Sequence, residues 1–158
     1  MELVFPAIEH KQAALDYRQE HINFGEAHIH SSSGLMKADD YESWLEKITL
    51  NKTEASTDWV TGSVYFAVEN NKIVGTIAIR NYLAESLLKI GGYIGYGVSP
   101  SERRKGYGTK MLALALKKCR MLDIEKVLVT CDKGNTASAK PRPTARCGGW
   151  NTGRRSSI

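Results

Sequence analysis

Residues 92–110 read GYIGYGVSPSERRKGYGTK, and this stretch decides the fold. A β-rich run, residues 93–98, is stopped by Pro100, whose ring fixes φ and removes a backbone donor. A basic polar turn follows, and Gly106 and Gly108 open a helix. Without a Cβ at those positions the backbone can close around a ligand. The first N–H groups of a helix lack intrahelical acceptors and lie at the positive end of its dipole. With Arg103, Arg104 and Lys105 beside them they make a candidate phosphate site. The alternative is an ordinary βα turn whose basic side chains are solvated. The standard nucleotide loops do not fit. No Gly-Lys-Ser/Thr occurs, and no third glycine completes GxGxxG after Gly108.

Downstream, Leu112, Leu116 and Cys119 recur at i, i+4 and i+7, flanked by Met111, Ala115 and Leu122, which predicts a helix from Gly106 to about Leu122. Residues 126–131 (KVLVTC) are apolar on both faces, as expected of a parallel strand covered on both sides. Upstream, residues 64–69 and 72–80 read as a hairpin around Asn70-Asn71, since Asn tolerates positive φ. Residues 87–90 are too short to assign, and residues 51–62 are polar and irregular. A helix is expected from Asp39 or Asp40 as N-cap, with Tyr41, Trp44, Leu45 and Ile48 on one face. Another is expected over residues 9–24, where Ala13, Tyr17 and His21 fall at helical spacing near Ala14 and Leu15. Between these helices, residues 25–37 form a loop, and residues 2–8 a first strand ending near Pro6. The fold class is therefore α/β, an α+β arrangement on a mixed sheet, in one domain without internal repeats.

The 158 residues suit a single core, and 42% hydrophobic with 25% charged residues is ordinary for a folded chain. No apolar run approaches the roughly 20 residues that cross a bilayer. The start, MELVFPAIEHK, lacks a basic segment followed by a long apolar one, so the expected location is cytoplasmic, without membrane partners. Cys119, Cys131 and Cys147 show no CxxC spacing, which favours reduced thiols over a disulfide framework or a zinc site. The net charge of +5 resides in the tail: Lys140, Arg142, Arg146, Arg154 and Arg155 face no acidic residue there. Removing these five from the 22 Lys and Arg leaves 17, matching the 17 Asp and Glu. A neutral body without an aromatic-studded basic face argues against a nucleic-acid partner.

Arg103-Arg104-Lys105-Gly106-Tyr107-Gly108 resembles the acetyl-CoA signature of the GNAT superfamily of N-acetyltransferases, Arg/Gln-x-x-Gly-x-Gly/Ala. Val98-Ser99-Pro100 resembles the Val-x-Pro that ends the family's preceding strand, and a long helix and an apolar strand follow in the family's order. Val129-Thr130-Cys131-Asp132, then Asn135 and Ser138, resembles its next strand and the start of its last helix. The resemblance covers residues 2–140, most strongly 92–138, and is nearest to bacterial acetyltransferases of unassigned substrate.

The resemblance implies a GNAT acyl-CoA N-acyltransferase fold over residues 1–140. It implies acetyl-CoA as co-substrate, no metal, and direct acetyl transfer to an amine of a small molecule or peptide. Cofactor binding would fall to Val98, Arg103, Arg104, Lys105, Gly106, Tyr107, Gly108, Thr109, Asn135 and Ser138, with the backbone around Tyr96-Gly97-Val98 holding the thioester. Where many relatives carry a tyrosine as acid for the departing thiolate, this chain has Pro141 and Arg142. Tyr93 and Tyr96 lie on the cleft strand, alternate in face with Ile94, and serve either catalysis or packing. His28-x-His30, near His21 and Glu26, lies where the family receives its acceptor, so His28 is a candidate proton carrier. The other option is a solvated loop, since a metal site lacks a Cys and a third ligand.

After Lys140 the character changes. Residues 141–158, PRPTARCGGWNTGRRSSI, form an atypical basic tail in which Pro141 and Pro143 would break the final helix. A shifted reading frame near Lys140 would remove or alter the last two strands of the fold, leaving the edge at 126–131 open to a homodimer. The competing function is then a catalytically weak or inactive acyl-CoA-binding protein.

Overall fold

The computed structural model describes residues 1–55, 60–85, 92–124 and 127–129. Four strands, β1 (Glu2–Val4), β2 (Gly62–Glu69), β3 (Lys72–Arg80) and β4 (Ile94–Val98), form an antiparallel sheet in that spatial order. The hairpin forms where the Asn pair expects it: Asn70 and Asn71 take φ of 50° and 61°, the type I′ requirement, and Glu69 opposes Lys72.

The register slips between Ala67 and Val68, where β3 carries one extra residue. Ile73 packs on one face of the sheet and Val74 on the other, as alternation requires. An added Cβ at Gly75 would then point the same way as Val74, 2.8 Å from the Met111 side chain. Beyond it Thr76 faces back and Ile77 forward. This bulge is what turns Thr76 towards the helices of the first face.

Helices cover both faces. Helix α1 (Lys11–Asn23) follows a 3-10 turn at Ile8–His10, where His10 Nδ1 accepts the Ala7 N–H at 3.0 Å. Its buried stripe is Ala14, Tyr17 and His21; Ala13, expected on that stripe, is only half-buried. Helix α2 (Tyr41–Leu50) starts on Asp40, whose carboxylate accepts the Ser43 N–H at 2.7 Å. Tyr41, Trp44 and Ile48 are buried, and Trp44 stacks on Phe66 with ring centres 5.7 Å apart. Burying a side chain such as Phe66 stabilises the fold by about 1.5–3 kcal/mol.

Helix α3 (Tyr107–Met121) covers the opposite face with Met111, Leu112, Ala115, Leu116 and Cys119. Leu122, expected on that stripe, is exposed, because the helix has already ended; buried Ile124 closes the core instead. Residues 127–129 meet the start of β4 where the Tyr93 N–H donates to Leu128 O at 2.8 Å, without a continuous ladder among the described residues. The remainder of the expected strand 126–131 lies outside the described residues, as do residues 87–90 and the tail. Among the described residues this is the expected mixed α/β architecture, with three helices on a four-stranded antiparallel sheet.

Candidate functional site

The site is assembled where β4 gives way to α3. Pro100–Glu102 make one 3-10 turn, which is tied to α1 through Glu20. Glu20 Oε1 accepts the Ser99 hydroxyl at 2.5 Å and the Ser101 N–H at 2.8 Å. Burial pushes the Glu20 carboxyl up, but these bonds and the Lys72 charge outweigh it and hold the group below its ordinary value. Arg104 then takes φ of 63° and Gly106 φ of 80°. The left-handed conformation at Arg104, a non-glycine residue, costs on the order of 1–3 kcal/mol. An added Cβ at Gly106 would meet nothing within 4 Å, so conformation rather than space requires glycine there.

Lys110 N–H donates to Gly106 O at 3.2 Å, the first bond of the helix. The N–H groups of Tyr107, Gly108 and Thr109 therefore precede any intrahelical acceptor. Gly108 sits tight on β4, since an added Cβ would lie 3.2 Å from the Tyr96 ring. Among the described residues Arg104 makes no ion pair, and it is exposed. Lys105 and Lys72 each bind Glu102 at 2.9 Å, which lowers that carboxyl. N–H groups without intrahelical acceptors, a glycine turn and exposed cations lie in one place, a candidate anion cradle.

Val98, Arg103, Arg104, Lys105, Gly106, Tyr107, Gly108 and Thr109 are thus brought together in one turn. Asn135 and Ser138 lie outside the described residues. Tyr96 does not alternate with Ile94: Ile94, Tyr96 and Val98 share the α3 face, and Tyr96 is half-buried there. Tyr93 is half-buried in the same cluster. Gly95 and Gly97 face the other way, under the loop after α1. An added Cβ would lie 2.4 Å from Ser31 Oγ at Gly95 and 3.1 Å from His30 O at Gly97. β4 therefore stands between the tyrosines and the loop that carries His28.

That loop walls a groove of about 940 Å³ with α2 and the ends of β2 and β3. His28, Ser31, Glu46, Glu54, Ser63 and Arg80 line it, and His28 is exposed. Burial lowers the pKa of the Arg80 guanidinium, which donates to Gly92 O at 2.9 Å. The loop is anchored by Thr76, whose hydroxyl donates to His30 O at 2.8 Å, and by Trp44 Nε1, which donates to Ser32 O at 2.8 Å. Among the described residues no three His, Cys, Asp or Glu gather as metal ligands.

A sequence model of the acetyltransferase (GNAT) family matches residues 33–140, more than half of the chain and all of the turn just described. The chain belongs to the GNAT acetyltransferase family. No curated protein and no solved structure matches it. The family generally uses acetyl-CoA as acyl donor. Among the described residues no helix is long and apolar enough to cross a membrane.

Glu20 and Glu26 carry much of the geometry, yet neither stands out by local pattern. The available signal is Gly25. It follows the end of α1 with φ of 73° and its N–H donates to Ile22 O, while the Glu26 N–H donates to His21 O. This is a Schellman ending, which turns Glu26 back against the helix.

Proposed function

We propose that this GNAT protein transfers an acetyl group from acetyl-CoA directly to an amine of a small molecule or peptide. The supporting observation is the helix start at Tyr107–Thr109, with its unpaired amides beside β4 and the exposed Arg104. The residues present fit the carrier. The amides and Arg104 suit a pyrophosphate, and β4 offers a backbone edge for an extended arm. Acetyl-CoA would supply the activated acyl group. The chain's own part is to hold donor and acceptor in one cleft, since proximity and orientation supply much of such a rate.

The acceptor enters the groove beneath the His28–Gly34 loop. Glu46 and Glu54 on its wall, among Lys37, Lys47 and Arg80, can accept hydrogen bonds from the acceptor, and His28, exposed at the groove, would take a proton from its ammonium so that the free amine can attack. Tyr93 and Tyr96, packed on the α3 face, shape β4 rather than carry protons.

Calorimetry with acetyl-CoA tests the donor site. Wild-type protein binds, Gly106→Glu does not, and Gly106→Asn, which tolerates the left-handed conformation without adding charge, retains binding. Equal binding by Gly106→Glu would refute the cradle. The second possibility, an acyl-CoA-binding protein with little turnover, is favoured by the packed positions of both tyrosines. Binding without acetylation of any member of an amine panel would establish it.

A further inference from the structure

The signature's first arginine is engaged inward. Arg103 Nε donates to Val98 O at 3.2 Å, and its NH1 group meets Glu26 Oε1 at 2.6 Å. Glu26 uses its other oxygen on His21, with Nδ1 at 2.7 Å. The Arg103 bond foremost, and the His21 bond after it, hold the Glu26 carboxyl below its ordinary value. An ionised carboxylate only accepts, so the His21 ring donates through Nδ1. That leaves His21 Nε2 without a partner in a side chain 2% exposed, which fixes the ring as a support for Glu26 rather than a solvent-facing base. The edge of the Tyr17 ring closes over it, with centres 4.7 Å apart.

We propose that Glu26 is a positioning residue, backed by His21, which fixes the Arg103 side chain as a tie between the loop after α1 and the end of β4. On this account the Arg103 guanidinium is not a phosphate ligand. Phosphate charge is met by the amides of residues 107–109 and by Arg104. The tie links the turn to the loop, because the segment that begins at Glu26 goes on to cross Gly95 and Gly97 and to wall the groove. This inference rests on the turn being the acyl-CoA site.

The test combines a double-mutant cycle with salt titration, using CoA as probe. Glu26→Ala and Arg103→Ala should each weaken CoA binding about tenfold, the scale of one charge-assisted hydrogen bond. The double variant should be no weaker than either single one, because the two residues act as a unit. The salt dependence of binding should persist in Arg103→Ala and flatten in Arg104→Ala, which loses a direct phosphate contact. Glu26→Gln, which keeps hydrogen-bonding groups towards both neighbours, should retain most of the affinity. Tighter CoA binding by Glu26→Ala, or a flattened salt dependence in Arg103→Ala, would overturn the tie and make Arg103 a phosphate ligand for which Glu26 competes. The same cycle read on Tm without ligand separates the two ideas. If wild-type protein binds no CoA, non-additive Tm changes uphold the tie while the donor site falls, and additive changes sink the tie as well.

Discussion

At the Val98 end of β4 the groups offered to a ligand are backbone N–H donors, whereas the groove beyond the loop that covers Gly95 and Gly97 is walled by side chains. The first region is set by conformation. Arg104 and Gly106 are left-handed, Glu20 on α1 holds the turn at Ser99 and Ser101, and Glu26 in the loop after α1 holds it at Arg103. The second is set by residue identity around a groove of about 940 Å³. A backbone cradle is the same for every acyl-CoA, while a groove lined by Ser, His, Glu and Arg is particular to this chain. On the proposed function, donor recognition belongs to the turn and acceptor choice to the loop.

The sharpest way to break this division is Gly95→Val. Its Cβ would fall 2.4 Å from Ser31 Oγ and push the loop off β4. Turnover should drop about a hundredfold through misplacement of the acceptor, with CoA affinity falling by no more than the roughly tenfold that loss of the Glu26–Arg103 tie costs. Parallel calorimetry and acetylation assays check this, and an equal loss of CoA binding would merge the two regions into one.

A smaller effect is expected from Glu20→Ala. It leaves the buried Ser99 hydroxyl and the Ser101 N–H without an acceptor. Urea unfolding should show a loss of about 1–3 kcal/mol, and CoA affinity should fall with it while the groove is untouched.

The smallest effect is on acid stability. Glu20 and Glu26 are both held below the ordinary 4.5 of a glutamate, so the folded state favours their ionised forms. Their contribution is complete above that value and is lost as pH falls through the lower folded values. Thermal melts of wild type below pH 4.5 should therefore fall more steeply than those of a Glu20→Gln, Glu26→Gln double variant. Parallel curves would show that neither carboxylate steadies the turn.

Much of this was legible in local sequence. Asn70-Asn71 specified its turn, Asp40 its cap, and the glycines at 106 and 108 the helix start, because each depends on neighbours a few residues away. The bulge at Val74 and Gly75 was not legible. It arises from pairing β3 with β2 while Met111 and Gly97 press on Gly75. The face taken by Tyr96 was legible, since strict alternation from Ile94 gives it, and the reading that set Tyr96 opposite Ile94 misplaced it. Glu20 lies 79 residues from Ser99, and Glu26 meets Arg103 only through tertiary folding, so no periodicity reveals either contact. Asn135 and Ser138, and the question of the altered last strands, fall outside the described residues.

In the proposed donor site the amides of Tyr107, Gly108 and Thr109 receive the phosphates of acetyl-CoA. Titrating acetyl-CoA into nitrogen-15-labelled protein, with the backbone amides followed by NMR, tests it directly. Saturable shifts are expected at residues 107–109, together with the amides of Arg104 and Gly106, at the lowest ligand concentrations. Saturable binding that leaves these amides unmoved and shifts residues elsewhere would contradict it.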